Sequence, residues 1–424
     1  MPEQGPLFVG VDFGTSGVRI SVIDEQEVER AYAKTAFASL GSNSRDPHIW
    51  WRAFELSLKD VVGEIDRARV VAMAVDGTSG TLLAVDPDGV PLRDALMYND
   101  PCTDQDLLKR ISLHAPQNSA AHGASSGLAR ALQLVQGHDA DKVLHQADWI
   151  SFRLSGSRVS DENNALKTGY DPVARCWPDW IEKTGLPLSL LPGVLPAGSL
   201  VGSICQEFAE QFSLPDTCQI ITGTTDGCAS FLATGAENIG DGVTALGTTL
   251  TLKILSDKPI FAPEYGIYSH RLGEQWLAGG ASNSGGNVLL NFFTSEEIAD
   301  LSTQINPDVP SGLDYYPLAK AGERFPISDA ALPPRMTPRP QEDAVFLQGL
   351  FESMSAIEAL GFSRLTELGG PELGSLRSVG GGAQNAVWSH IRQARLGVPF
   401  LAAKSLEAAF GSALLAKRGC HGVS

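Results

Sequence analysis

The chain runs to 424 residues, beyond the roughly 250 to 300 at which single hydrophobic cores stop growing, so two domains are expected. With 43% hydrophobic and 19% charged residues it has the composition of a folded protein and not of a disordered one. Its 32 basic and 49 acidic residues leave a net charge of −17 with no basic stripe to offset it, which argues against nucleic acid and anionic membrane surfaces as partners but leaves room for a small anionic ligand.

The opening MPEQGPLFVGVDFG has no basic segment followed by an apolar leader, and no later run approaches the ~18 uninterrupted apolar residues of a membrane span. A cytoplasmic protein is expected, and the six cysteines, without a CxxC pair or histidines at metal-ligand spacing, read as free thiols. Leu7 to Asp24 reads as an apolar strand, a Gly/Ser/Thr turn and a second strand: a hairpin. A helix is predicted over Trp51 to Arg69, where Trp51, Phe54, Leu58, Val61, Val62 and Ile65 recur at helical spacing. Strand, turn and strand follow around Val75 to Thr81, with another turn at Pro87 to Gly89. SGLARALQLVQ, from Ser126, predicts a Ser-capped helix. A second strand, turn and strand set is expected at Cys218 to Ala236, with Asp226 where a strand ends and a small-residue helix begins. Strand ends are where α/β proteins place ligands.

VDFGTSGVRISVI (Val11 to Ile23) is echoed by TALGTTLTLKIL (Thr244 to Leu255). A match at about half the chain length suggests a duplicated domain and not a solenoid. Pro310, Pro317, Pro326, Pro333, Pro334, Pro338 and Pro340 mark an extended excursion, because proline is excluded from helix interiors and central strands. A long helix should then run to Gly369 and Gly370, followed by the glycine-rich loop GGGAQN opening another helix, and by a closing helix.

Gly14, Thr15 and Ser16 supply backbone N–H groups and hydroxyls in a tight turn, the parts of a phosphate cradle, and Gly247, Thr248 and Thr249 offer the same parts from the other half. Together they could grip one polyphosphate across an interdomain cleft, although either alone fits an ordinary hairpin. Asp12 has Ala245 as its counterpart. A carboxylate beside only one cradle suggests a Mg²⁺ site reached through water; the alternative is an Asp that bonds its own backbone turn. Gly381 and Gly382 let backbone approach a nucleotide, Asn385 could bond adenosine and Trp388 could offer an aromatic face; a tight loop with a core Trp is the alternative. Neither GxGxxG nor GxxxxGK[ST] is present. Asp226 is the candidate general base, kept ionised by the dipole of the helix it opens, or else a plain helix cap.

Taken together, VDFGTSGVR, VDGTSGT, YND, ADWISFRLSG, ITGTTDGCAS, ALGTT and GGGAQN resemble the FGGY carbohydrate kinase family over nearly the whole chain. The resemblance implies an α/β protein of two ribonuclease H-like, actin-like ATPase domains with an interdomain cleft. Residues 1–232 with a returning helix at 405–424 would bind sugar, and residues 233–404 would bind ATP. It also implies Asp226 as catalytic base, Asp12 near Mg²⁺ and sugar, and Gly247, Thr248, Gly381, Gly382, Asn385 and Trp388 around ATP.

At Asp76 to Gly80, DGTSG stands where xylulose kinases of the family usually show SGQMHG. The chain thereby resembles the compact D-ribulose kinases, in which Asp12, Ser79 and Asp226 would contact the pentulose. The expected reaction is phosphorylation of D-ribulose to D-ribulose 5-phosphate, with D-xylulose or another polyol as the alternative within the family. A nucleotide-switched binding protein like actin or the Hsp70 chaperones is the alternative from another class, since fold does not decide function.

Overall fold

A computed structural model of the chain describes residues 5–422. It divides into two compact units. One comprises the chain as far as Ala233, the segment His270–Glu274 and the chain from Glu407 onward; the other comprises Thr234–Ser269 and Gln275–Leu406.

In the first unit a six-stranded sheet runs Glu29–Ala36, Gly17–Asp24, Leu7–Phe13, Val70–Gly77, Gln219–Ile221, Leu200–Ser203. Leu7–Phe13 pairs antiparallel with Gly17–Asp24 and parallel with Val70–Gly77, which pairs parallel with Gln219–Ile221. Every residue of Leu7–Phe13 is buried, as expected of a central strand covered on both faces.

One cover is the helix Pro47–Glu64, which buries Trp50, Phe54, Leu58 and Val61. It starts before the expected Trp51, because the Asp46 carboxylate accepts from His48 N–H and Pro47 occupies the first turn, where a missing N–H costs nothing. It also stops short of Arg69, since Ile65 is extended and Asp66 opens a separate turn at Arg67–Arg69.

The closing helix Ala408–Cys420 buries every residue from Ala408 to Ala416. Its close approach depends on glycine: a Cβ on Gly10 would lie 2.0 Å from Ala409 O, and one on Gly411 would lie 1.9 Å from Ala229 O.

In the second unit the strands run Gln275–Ser282, Leu250–Ser256, Asp241–Leu246, Ser375–Val379, Phe400–Leu401. Asp241–Leu246 pairs antiparallel with Leu250–Ser256 and parallel with Ser375–Val379, which pairs parallel with Phe400–Leu401. This repeats the pairing around Leu7–Phe13, so the sequence echo is two copies of one hairpin, each flanking a parallel strand. The 25-residue helix Asp343–Glu367 packs on this sheet through Phe351, Met354 and Phe362. The proline-rich stretch before it is irregular, as expected.

The expected strand pair over Cys218 to Ala236 is corrected. Gln219–Ile221 is a strand, but the turn after it leads into the helix Asp226–Ala233; small residues there let it lie against the closing helix, as the Gly411 contact with Ala229 shows. No helix among the described residues is long and apolar enough to cross a membrane.

Candidate active site

In the first unit the ends of three neighbouring strands bring acids together. Parallel register sets Asp12 opposite Asp76, and a bridge from Gly77 to Thr225 brings the next residue, Asp226, beside them. Gly223 makes that approach possible: a Cβ there would lie 1.8 Å from Val75 O. Asp226 is half-buried at the first position of its helix, and Gly227 N–H donates to its Oδ1 at 2.7 Å.

Asp12 is only 5% exposed, and Arg19 Nη1 donates to its Oδ2 at 3.1 Å. Burial raises its carboxyl above the ordinary value although Arg19 pulls the other way. Asp76 is fully buried, and Ser412 Oγ, on the closing helix, donates to its Oδ2 at 2.5 Å. Burial, then the charge of Asp12, pushes Asp76 well up, and Asp226 adds to the push. Three acids in one place therefore cannot all hold full charge cheaply, and the deepest of them favours its neutral form.

The turn after Asp76 is braced from within. Tyr98 N–H donates to Thr81 Oγ1 at 3.1 Å, Thr81 and Thr78 hydroxyls share a 2.6 Å bond, and Thr78 Oγ1 donates to Gln146 Oε1 at 3.0 Å. Yet Asp76 Oδ1, Ser79 Oγ and Gln146 Nε2 are buried without a hydrogen-bond partner among the described residues. Orphaned polar atoms are rare and costly in a finished core, so three of them, from the end of Val70–Gly77, the turn after it and the start of the helix Gln146–Ser155, set this place apart from ordinary packing.

The segment before Asp226 is fixed by two asparagines. Asn163 Nδ2 donates to Thr224 Oγ1 at 3.0 Å, and Asn164 Nδ2 donates to Thr224 O at 3.1 Å. Gly14 N–H closes the first hairpin turn onto Gly17 O at 3.0 Å, leaving Thr15 and Ser16 exposed at its tip.

In the second unit a cavity of about 580 Å³ is lined by Gly247, Thr248, Gly381, Gly382, Asn385 and Trp388, with apolar walls from Leu289 and Ile298. None of its lining residues is charged. Thr249 stands outside this lining, its backbone packed against Gly285. The Gly247 and Thr248 carbonyls accept from Gly286 and Asn287 N–H at 2.9 and 3.1 Å, which fixes the turn.

The glycines of GGGAQN differ in what they permit. Gly380 has φ +86°, and a Cβ on Gly382 would lie 2.7 Å from the Trp388 ring, whereas a Cβ on Gly381 would meet nothing within 4 Å. Asn385 caps the helix Ala386–Leu396: its Oδ1 accepts from Trp388 N–H at 2.9 Å and its Nδ2 donates to Ser302 Oγ at 2.8 Å. Trp388 is buried with its ring stacked on Phe351, centroids 4.9 Å apart and 7° from parallel.

The sequence-derived residues thus fall into two groups. Asp12, Ser79 and Asp226 lie with the Gly14–Ser16 turn in the first unit, and all the expected nucleotide residues except that turn and Thr249 line one cavity in the second. Asp76 as a buried acid, Gln146 and the two asparagines were missed, because nothing local distinguishes them; they act across 60 or more residues of sequence.

No group of three or more His, Cys, Asp or Glu among the described residues could enclose a metal. Asp12, beside the hairpin turn, is a single carboxylate whose Oδ2 already accepts from Arg19, so a cation there would have to keep most of its own water, as Mg²⁺ does.

Residues 7–125 match the N-terminal domain, and residues 242–420 the C-terminal domain, of the FGGY family of carbohydrate kinases. The chain belongs to that family. Among relatives of this FGGY protein, xylulose kinase of Escherichia coli (strain K12) is 26% identical over 288 residues, covering 64% of this chain and 59% of that one. Xylulose kinase of Staphylococcus xylosus is 22% identical over 447 residues, covering 97% of this chain and 90% of that one. A solved xylulose kinase from Brucella ovis superposes with a TM-score of 0.86 at 22% identity over 99% of this chain and 91% of that one. Plasmodium falciparum glycerol kinase with ADP gives 0.83 at 16%, over 98% and 90%. The FGGY fold, mixed α/β in two sheet-centred units, is therefore the fold of this chain.

Proposed function

We propose that the chain is an ATP-dependent sugar kinase that converts D-ribulose to D-ribulose 5-phosphate. The observation that carries the reading is Asp226, half-buried at a helix start beside Asp12 and Asp76, on the same unit as a braced turn with partnerless polar atoms. An open sugar chain presents hydroxyls that both donate and accept, which suits Ser79 Oγ.

In the reaction the terminal sugar hydroxyl attacks the γ-phosphorus of ATP. The new O–P bond forms as the bond to the β-bridging oxygen breaks, ADP leaves, and the hydroxyl proton passes to the Asp226 carboxylate. Gly227 N–H holds Asp226 Oδ1 in place for that transfer. Asp12 would hold a Mg²⁺ ion that comes with the nucleotide, and the ion would supply positive charge against the phosphate oxygens. The exposed N–H groups and hydroxyls of Thr15 and Ser16 serve phosphate oxygens, and Gly247, Thr248, Gly381, Gly382, Asn385 and Trp388 form the seat of the nucleotide. Most of the rate enhancement is positioning and electrostatic stabilisation. The protein works in the cytoplasm, where ATP is supplied.

D-xylulose is the second reading, favoured by the relatives named xylulose kinase. Coupled ADP release with Mg-ATP against D-ribulose, D-xylulose, L-ribulose, glycerol and no sugar separates the two. Stimulation by D-ribulose that disappears in Asp226→Ala is the expected result; preference for D-xylulose would replace the substrate, and turnover indifferent to every sugar would favour a nucleotide-switched binding protein.

A further inference from the structure

Arg130 sits in the helix Gly127–Val135 and is 1% exposed. Its guanidinium donates to four backbone carbonyls: Nε to Gly80 at 2.8 Å, Nη1 to Tyr98 at 3.0 Å and to Asp100 at 3.2 Å, and Nη2 to Ser125 at 2.9 Å. No carboxylate among the described residues forms an ion pair with it. Asp100, the acid whose charge it feels, is itself held by Arg45, whose Nε donates to Oδ2 at 3.1 Å. Burial pushes Arg130 down to about 10, which still leaves it charged at neutral pH.

A lone buried cation is an expensive way to fill a core. What it provides is reach: a planar fork with donors at fixed angles joins segments that share no secondary structure. The three segments are the turn that carries Ser79, the Tyr98–Asp100 turn and the loop that caps the Arg130 helix itself. Gly80 fits this role, since it has φ +86° and a Cβ there would lie 2.8 Å from Arg130 Nη2.

We infer that Arg130 is a positioning residue for the sugar: its buried guanidinium holds the Thr78–Thr81 turn and the Tyr98–Asp100 segment in the arrangement that presents Ser79 to the substrate. The inference rests on the sugar-kinase reading above. Without the fork the turn keeps its threonine bonds, including the one from Tyr98 N–H, but Gly80 loses its tie to the Tyr98 and Asp100 carbonyls and to the Ser125 loop, so sugar binding suffers while the nucleotide cavity, built from other residues, does not.

The test compares wild type, Arg130→Lys and Arg130→Ala in ADP release with the preferred sugar, with and without millimolar guanidinium chloride. Lysine keeps the charge but not the fork. Both variants should raise the sugar KM about 10-fold or more, from the lost charge-assisted bonds, while the Mg-ATP KM moves less than about 2-fold. Guanidinium should bring the sugar KM of Arg130→Ala back toward wild type. Equal losses in both KM values and in thermal stability, with no effect of guanidinium, would reduce Arg130 to a structural residue. So would Arg130→Lys with a wild-type sugar KM. Wild-type turnover that ignores sugar fails the kinase reading itself, an outcome visible before any variant is measured.

Discussion

The two hairpins Leu7–Asp24 and Asp241–Ser256 share strand pairing, a Gly/Thr turn and a parallel neighbour, yet one carries Asp12 where the other carries Ala245. Around the first the unit gathers Asp12, Asp76 and Asp226 and leaves polar atoms without partners. Around the second it builds a cavity without a charged residue, walled by Leu289, Ile298 and Trp388. One scaffold thus carries two environments, carboxylates at one hairpin and neutral backbone with apolar walls at the other; on the proposed reading the first handles a proton and a cation and the second seats a polyanion with a flat base.

The contrast can be broken by exchanging its defining residues. Asp12→Ala makes the first hairpin like the second, and turnover measured as ADP release should fall about 100-fold, the size typical of a lost electrostatic stabiliser. Unchanged turnover would detach Asp12 from the site. The reverse change, Ala245→Asp, puts a carboxylate beside the second turn; repulsion should raise the Mg-ATP KM about 10-fold and leave the sugar KM near its original value.

A finer probe lies in the glycine loop. Gly382→Ala forces a methyl against the Trp388 ring and should cost about 1–3 kcal/mol of stability in a denaturant titration. Gly381→Ala meets open space, so it should fold normally and act on nucleotide affinity alone, read by ADP binding. Equal destabilisation by both would deny that difference.

The smallest effect concerns pH. Glu162 is 1% exposed with Oε1 partnerless among the described residues, and burial raises it from 4.5 to about 7. Between those values the folded protein binds a proton that the unfolded chain does not. Its stabilising contribution is therefore complete below the unfolded value and is lost as pH rises to about 7. Glu162→Gln should gain about 2 °C in melting temperature over wild type between pH 5 and pH 8; a pH-independent difference would rule the linkage out.

Much of this was legible in the sequence because it is local. The hairpin echo, the Ser126 cap and the Asp226 helix start are written in neighbouring residues. The start of the Pro47–Glu64 helix was misjudged because apolar spacing begins at Trp51 while the cap lies at Asp46. The second strand expected within Cys218 to Ala236 gives way to the small-residue helix that Asp226 also announced, and that helix lies against the closing helix through Ala229. Arg130 and Asn163 had no signal at all: Gly80 lies 50 residues from Arg130 and Tyr98 lies 32, Thr224 lies 61 from Asn163, and only folding makes them neighbours.

The bond from Ser412 to Asp76 spans 336 residues. A ribosome reads out Asp76 early and Ser412 only after the whole second unit, and domains tend to fold as they emerge. The acid cluster must therefore stay unlocked throughout synthesis, with Gly10 and the sheet face around it bare until the closing helix arrives. The nascent chain holds its first unit open as a docking face for its own last helix, and the second unit, made later, is free to finish first.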